Sequence, residues 1–212
     1  MTKVPVSYQP LSIAHRGASA YAPGNTMEAF KKAALLGADI WETDIRLTSD
    51  GVAVTFHDDT LADGRLVSSV SREDLRALSP ECPDFAQVVA LAKENGVGIY
   101  ADIKDKEATI NAYELLVEAN ISPVIIGAFD PKITLLLKKV GSVYPVSQLV
   151  PIGVDPFEYA SDADVIHLCW EDMDRPQDSL TRAFFEKVFR AGKCVVIWHE
   201  EDPTRMAALR TK

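Results

Sequence analysis

The stretch 39–57, DIWETDIRLTSDGVAVTFH, decides the fold. Residues 39–47 are rich in β-branched and aromatic side chains and alternate strictly. Successive strand side chains point to opposite faces, so Trp41, Thr43 and Ile45 share one side and Glu42 and Asp44 the other. The apolar side must meet a covering layer of helices, which turns both carboxylates inward. Residues 52–57 form a second β run, and only Thr48-Ser49-Asp50-Gly51 lies between the two. A parallel crossover needs about a dozen residues or more, whereas a short connection ending in Asp-Gly suits a hairpin. The spacing therefore predicts that 52–57 runs antiparallel to 39–47 and brings His57 back to the level of Glu42 and Asp44.

Outward from this hairpin, β runs and helical runs alternate. The strand candidates are 11–15, 39–47, 52–57, 97–104, 124–129, 145–150, 164–170 and 194–199; the helical candidates are 26–37, 71–78, 84–95, 106–119, 131–140, 179–191 and 203–210. For the first helix, Asn25 followed by Glu28 predicts a capping box, with Gly37 as the stop. Strand-then-helix alternation predicts an α/β fold with a parallel sheet, specifically a (β/α)8 TIM-type barrel. With the hairpin arm set aside, seven barrel strands are present and the eighth is missing. Residues 1–212 read as a single barrel domain; an open barrel leaves two bare edges, so either the natural chain continues past Lys212, which is the expectation, or another segment closes the gap.

Composition narrows the function classes. The chain has 212 residues, 47% of them hydrophobic and 25% charged, which fits a globular core. A net charge of −9 repels nucleic acid and anionic lipid, so neither is expected as a partner, and an anionic substrate must be drawn in by local positive charge. The three cysteines, Cys82, Cys169 and Cys194, match no disulfide or metal framework and fit a reducing compartment. No apolar run approaches the roughly 20 residues of a membrane helix, so stable membrane insertion is not expected and the cytoplasm is the expected location. The oligomeric state is not written in the sequence.

Several polar residues stand where a barrel forms its active site, at the carboxyl ends of its strands. In GIYADIK, Asp102 and Lys104 share the face opposite Ile99, Ala101 and Ile103. Glu42, Asp44 and Asp102 thus offer three inward carboxylates, a donor set suited to a hard cation such as Mg²⁺ or Ca²⁺. The alternative is a buried ion-pair network in which Arg46 and Lys104 neutralise the acids. His15 ends the first strand and His57 the hairpin arm, and a pair of imidazoles can serve as general acid and general base. Arg16 can grip a phosphate oxygen, Gly17 lets backbone approach a ligand, and Lys104 adds positive charge for a transition state.

The runs IAHRGASAYAPGNTMEAF, IWETDIRLTSDGVAVTFHDDTL and YADIK resemble the glycerophosphodiester phosphodiesterase family, whose pattern is His-Arg-Gly, Pro-Glu-Asn-Thr, Glu-x-Asp, His-Asp and Glu-x-Lys. The match is dense over 11–61 and returns at 99–104; beyond that only the strand–helix rhythm and Trp198 continue it. The resemblance implies a barrel of the PI-PLC-like phosphodiesterase type. It implies metal-dependent hydrolysis of glycerophosphodiesters to glycerol 3-phosphate and an alcohol. His15 and His57 then form the acid–base pair, Glu42, Asp44 and Asp102 hold the metal, and Arg16, Lys104 and Trp198 contact substrate. Two positions depart from the pattern: Gly24 stands where the family has Glu, and Asp102 is one methylene shorter than the family's Glu. The rim adds Glu171 after Trp170 and His199, Glu200 and Glu201 after Trp198, read as ordinary rim residues ahead of a pocket for a cationic head group. His167 reads as a core histidine, and Asp162, Asp164, Asp172, Asp174 and Asp178 as a solvated face. The competing functions are a phospholipase acting on lysophospholipid or sphingomyelin, and a catalytically impaired barrel that binds a phosphate ligand.

Overall fold

A computed structural model describes residues 10–170, 178–200 and 202–209. The described residues divide into two compact units, Leu11–Gly127 and a second that holds those from Ala128 onward.

The first unit runs β1 (Ile13–Ala14), α1 (Met27–Leu35), β2 (Ile40–Leu47), β3 (Ala53–Thr55), α2 (Arg72–Leu78), α3 (Phe85–Asn95), β4 (Gly98–Ile103), α4 (Thr109–Ala119) and β5 (Val124–Ala128). Strands β1, β2, β4 and β5 pair in that order, all parallel. β3 pairs antiparallel with β2, with Arg46 opposite Val54, so the hairpin read from the short Asp-Gly connection is present. Parallel register sets Asp44 directly beside Asp102.

The alternation in β2 works as read. Trp41 is fully buried and stacks on Phe30 of α1 with ring centroids 5.4 Å apart, so the apolar face of the strand meets a helix. The start of α1 differs from expectation. Thr26, not Asn25, is the N-cap, its hydroxyl accepting from the Ala29 N–H at 3.2 Å. Asn25 instead adopts φ +58° and sends its side chain to β2.

The β3 arm has its own apolar support in Val54, Leu61, Val67, Val70, Leu75 and Cys82, with Val52 and Phe56 packed alongside. Its turn is tied by Thr48, whose hydroxyl donates to Asp50 Oδ1 at 2.6 Å. Asp50 in turn accepts the Arg72 N–H at 3.0 Å, and Arg72 forms an ion pair with Asp84.

The second unit runs α5 (Pro131–Lys139), β6 (Val146–Val150), α6 (Pro156–Tyr159), β7 (Val165–Cys169), α7 (Arg182–Arg190), β8 (Cys194–Trp198) and α8 (Pro203–Leu209). β6, β7 and β8 are parallel neighbours. The single turn α6 was not foreseen: Asp155 caps it and Pro156 opens it, which is local chemistry too short to leave a periodic pattern. His167 lies buried within β7, as a core histidine should. Asp164 is not part of a solvated face. It accepts from Lys138 Nζ at 2.8 Å and from the Val146 N–H at 2.9 Å, joining α5 to the sheet. Glu171, Asp172, Asp174 and Glu201 lie outside the described residues.

Among the described residues there are seven strands besides the β3 arm, and no eighth barrel strand. No described helix is long and apolar enough to cross a membrane.

Phe30 is fully buried against Trp41, so Phe30→Ala is expected to cost about 3–5 kcal/mol of stability, read as a lower midpoint in urea unfolding. A loss well under about 1 kcal/mol would mean that the α1–β2 contact is not a core contact.

Candidate active site

The acids, both histidines, Arg16 and Lys104 all belong to the first unit. The chain leaves β1 at His15 and reverses through Arg16 and Gly17, with φ of +54° and +77°. A Cβ on Gly17 would lie 2.7 Å from the Ala29 carbonyl carbon, so glycine is required here by the close approach of α1. The neighbour that Gly17 accommodates is thus helix backbone, where its sequence context suggests ligand approach.

β2 and β4 carry the carboxylates. Glu42, Asp44 and Asp102 are each at most 6% exposed, and each offers an oxygen within 4.8 Å of the other two. Lys104 Nζ lies 2.6 Å from Asp102 Oδ2 and 2.9 Å from Asp44 Oδ1. The Arg16 N–H donates to Glu42 Oε2 at 2.8 Å. The Arg16 guanidinium Nε is 3.1 Å from Asp44 Oδ2, yet it is not aligned for a hydrogen bond and has no other acceptor. The ion-pair alternative is therefore realised for Lys104. It is not realised for Arg46, which turns instead to Asp105 and to the His57 carbonyl.

Three ionised acids against two cations would leave one negative charge without a partner in a buried place, which is costly. Glu42 takes that strain: burial, then the Asp44 and Asp102 carboxylates, push its carboxyl well above the ordinary range. Asp102 is also raised, chiefly by burial, with Lys104 and His57 opposing. Burial pushes Asp44 up too, but Lys104, Asn25 and Arg16 outweigh it and hold that carboxyl below its usual value. Lys104 keeps its proton above the ordinary lysine range, because Asp102 and Asp44 overcome its own desolvation.

The histidines flank this cluster. His15 Nε2 is 3.9 Å from Glu42 Oε2. His57 Nδ1 is 2.7 Å from Asp58 Oδ1, and the ring is close enough to Asp102 to act on its charge.

One contributor was missed in the sequence. Asn25 Nδ2 donates to Asp44 Oδ2 at 2.7 Å, while its Oδ1 accepts from Thr43 Oγ1 at 3.1 Å and from the Asp44 N–H at 3.3 Å. The Asn25 carbonyl accepts from Thr55 Oγ1 at 3.0 Å. The signal was available: Asn-Thr is part of the motif, and the second residue alone can cap the helix.

Trp198 belongs to the second unit. It closes β8, meets Phe129 edge-on at 6.1 Å, and its carbonyl accepts from the Trp170 N–H at 3.0 Å. Glu200 pairs with Arg205 at 3.3 Å, and its side chain is largely buried.

The cluster passes one test for a cation. Asp102 Oδ1 is a buried carboxylate oxygen with no hydrogen-bond partner. An all-oxygen set with surplus negative charge and an orphaned acceptor suits a hard divalent ion, so these three residues could hold a metal.

A family profile, the glycerophosphoryl diester phosphodiesterase family, matches residues 15–211. The chain belongs to this family of hydrolases. A probable glycerophosphodiester phosphodiesterase 2 of Mycobacterium tuberculosis is 30% identical over 94% of this chain and 83% of its own length. Human glycerophosphodiester phosphodiesterase 1 is 35% identical over 44% of the chain, which spans only 33% of that longer protein. An Oleispira antarctica phosphodiesterase, solved with its product sn-glycerol-3-phosphate, superposes with a TM-score of 0.80 at 22% identity, covering 96% of this chain and 90% of that one. The Agrobacterium tumefaciens glycerophosphodiester phosphodiesterase gives 0.79 at 20% identity, over 95% of this chain and 92% of that one. These likenesses show the fold to be the TIM-type barrel of the family, here lacking its last strand among the described residues.

Glu42 makes the cation-free protein sensitive to pH. Its folded carboxyl binds a proton more tightly than the unfolded one, whose value is about 4.3. That stabilisation is complete below the unfolded value and is lost as pH rises through the raised folded value. Asp44 acts in the opposite sense, its contribution fading as pH falls. Thermal melts in chelator from about pH 4.5 to about pH 8 should show Tm falling with pH, and Glu42→Gln should flatten the fall. Parallel curves for the two proteins would mean that Glu42 is ionised without a metal.

Proposed function

We propose that the chain hydrolyses glycerophosphodiesters to glycerol 3-phosphate and an alcohol, with Mg²⁺ or Ca²⁺ held by Glu42, Asp44 and Asp102. The observation that carries this reading is the buried carboxylate triad with one unpartnered oxygen, flanked by His15, Arg16, His57 and Lys104. The named activity of the relatives supports the substrate class. Glycerol 3-phosphate is the product bound in the Oleispira antarctica enzyme.

A divalent cation in the triad would polarise the phosphate ester and lower the pKa of an attacking hydroxyl. The remaining work falls to the chain's own side chains. Arg16 carries a guanidinium donor that is close to Asp44 but not bonded to it, so it can turn to a phosphate oxygen without breaking a hydrogen bond. Lys104 holds Asp44 and Asp102 in register and adds positive charge beside the phosphate. One of His15 and His57 accepts the proton of the attacking hydroxyl, and the other delivers a proton to the leaving alcohol oxygen. The three free cysteines fit a reducing compartment and so support a cytoplasmic location.

One observation favours a second reading. Lys104 already bonds to two of the three acids, so the cluster is partly held together without a metal, which suits a barrel that binds a phosphate ligand without turning it over. Release of glycerol 3-phosphate from glycerophosphocholine, after chelation and re-addition of Mg²⁺ or Ca²⁺, separates the two. Turnover restored by the ion supports the enzyme, and no turnover with any diester supports the binding barrel.

His15→Ala should lower kcat by about 100- to 10,000-fold. Its partly exposed side chain should cost no more than about 0.5 kcal/mol of stability. Retained activity would remove His15 from the mechanism. Gly24→Glu restores the acid of the family pattern. A Cβ there meets Arg16 Cβ at 3.0 Å and Cδ at 3.3 Å, so Arg16 must give way slightly. A higher rate is expected, and an unchanged or lower rate would show that the chain works without that carboxylate.

A further inference from the structure

Arg46 sits two residues past Asp44 on β2 and so projects to the same face as the acids. It pairs with none of the triad. Its Nε and Nη2 both donate to the carbonyl oxygen of His57, at 2.9 and 2.8 Å. Its Nη1 donates to Asp105 Oδ1 at 2.6 Å. The other Asp105 oxygen accepts the Leu47 N–H at 3.1 Å, and the adjacent Lys104 N–H donates to the Ile45 carbonyl at 2.9 Å. A closed loop of bonds thus runs from the end of β2, through one guanidinium, to the end of the hairpin arm and the end of β4.

His57 needs such a fixture. Its ring is 42% exposed, and the side-chain partner it has, Asp58, is itself 73% exposed. What fixes the imidazole is therefore its backbone. The guanidinium that grips this backbone is only 12% exposed, so its bonds are largely shielded from competing water. The fork geometry matters, since a lysine could not hold the carbonyl with two donors while holding a carboxylate with a third.

We propose that Arg46, locked by Asp105, is a positioning residue that sets where the His57 imidazole stands over the carboxylate cluster. This rests on the acid–base role proposed for His57. The arm itself does not depend on the clamp, because the β2–β3 ladder and the Val54–Leu75 cluster hold it independently.

The test compares Arg46→Ala, Arg46→Lys, Asp105→Asn and His57→Ala in the full chain with glycerophosphocholine and saturating Mg²⁺ or Ca²⁺. Loss of precise placement predicts that Arg46→Ala lowers kcat by about 10- to 100-fold with KM nearly unchanged, whatever it does to the thermal midpoint. Arg46→Lys should recover only part of that rate, and Asp105→Asn should fall between Arg46→Lys and the parent. A readout independent of turnover is the His57 imidazole resonance in metal-free protein, identified by its loss in His57→Ala. It should broaden or split in Arg46→Ala while the His15 resonance is unmoved. Full kcat and a sharp His57 signal in Arg46→Ala, with His57→Ala inactive, would overturn the clamp and leave the acid–base reading intact. Full activity in His57→Ala would instead overturn the role on which the clamp rests. If Arg46→Ala does not fold, full activity in Arg46→Lys and Asp105→Asn overturns the proposal equally.

Discussion

Placing three carboxylates on one face of two neighbouring strands sets an electrostatic problem that the rest of the first unit is arranged to meet. Parallel register puts Asp44 against Asp102, and strand alternation adds Glu42 to the same side. Water cannot solvate these groups, so every oxygen must find a donor, a proton or a cation. Lys104 bridges two of the acids, the Arg16 backbone serves the third, and Asn25 leaves its position beside the helix cap to hold Asp44. What remains is one unit of negative charge and one orphaned oxygen on Asp102. Two things could settle that remainder, a proton on Glu42 or a cation among the three acids.

Much of this was legible in the sequence because it depends on short-range rules. Alternation in 39–47 placed Glu42 and Asp44 inward, and the four-residue Asp-Gly connection fixed the antiparallel arm that returns His57. The strand–helix rhythm gave every strand, to within a residue or two at each end. What the sequence concealed were choices between partners that are near in space and distant in number. Asn25 could cap a helix or bind Asp44, and Thr26 next to it made the second option free. Arg46 could neutralise an acid of the triad or reach Asp105; the strand geometry that sends it past the end of β2 decided for Asp105. Asp164 looked like one more surface acid until α5 brought Lys138 to it.

The loss of a family acid at position 24 has a visible local counterpart. Arg16 lies so close to Gly24 that even a methyl group there would touch its Cβ. Where the family pattern sets a carboxylate next to this arginine, the present chain sets nothing, and the guanidinium leans toward Asp44. Arg16 thereby stands beside Asp44 as a counter-charge to the buried acids. Its side chain links the phosphate-gripping role read from the sequence with the charge balance of the buried cluster.

The hairpin arm works as a molecular ruler. Its ladder matches Ile45 with Thr55, Arg46 with Val54 and Leu47 with Ala53, and the turn between is tied through Thr48 and Asp50 to Arg72. A strand slipped by one residue presents its opposite face. One residue added or removed within 48–51 would therefore turn the arm over and withdraw the imidazole from its neighbours, even with every named side chain still encoded. Chain length in this interval therefore constrains where residue 57 stands as firmly as the ladder itself does.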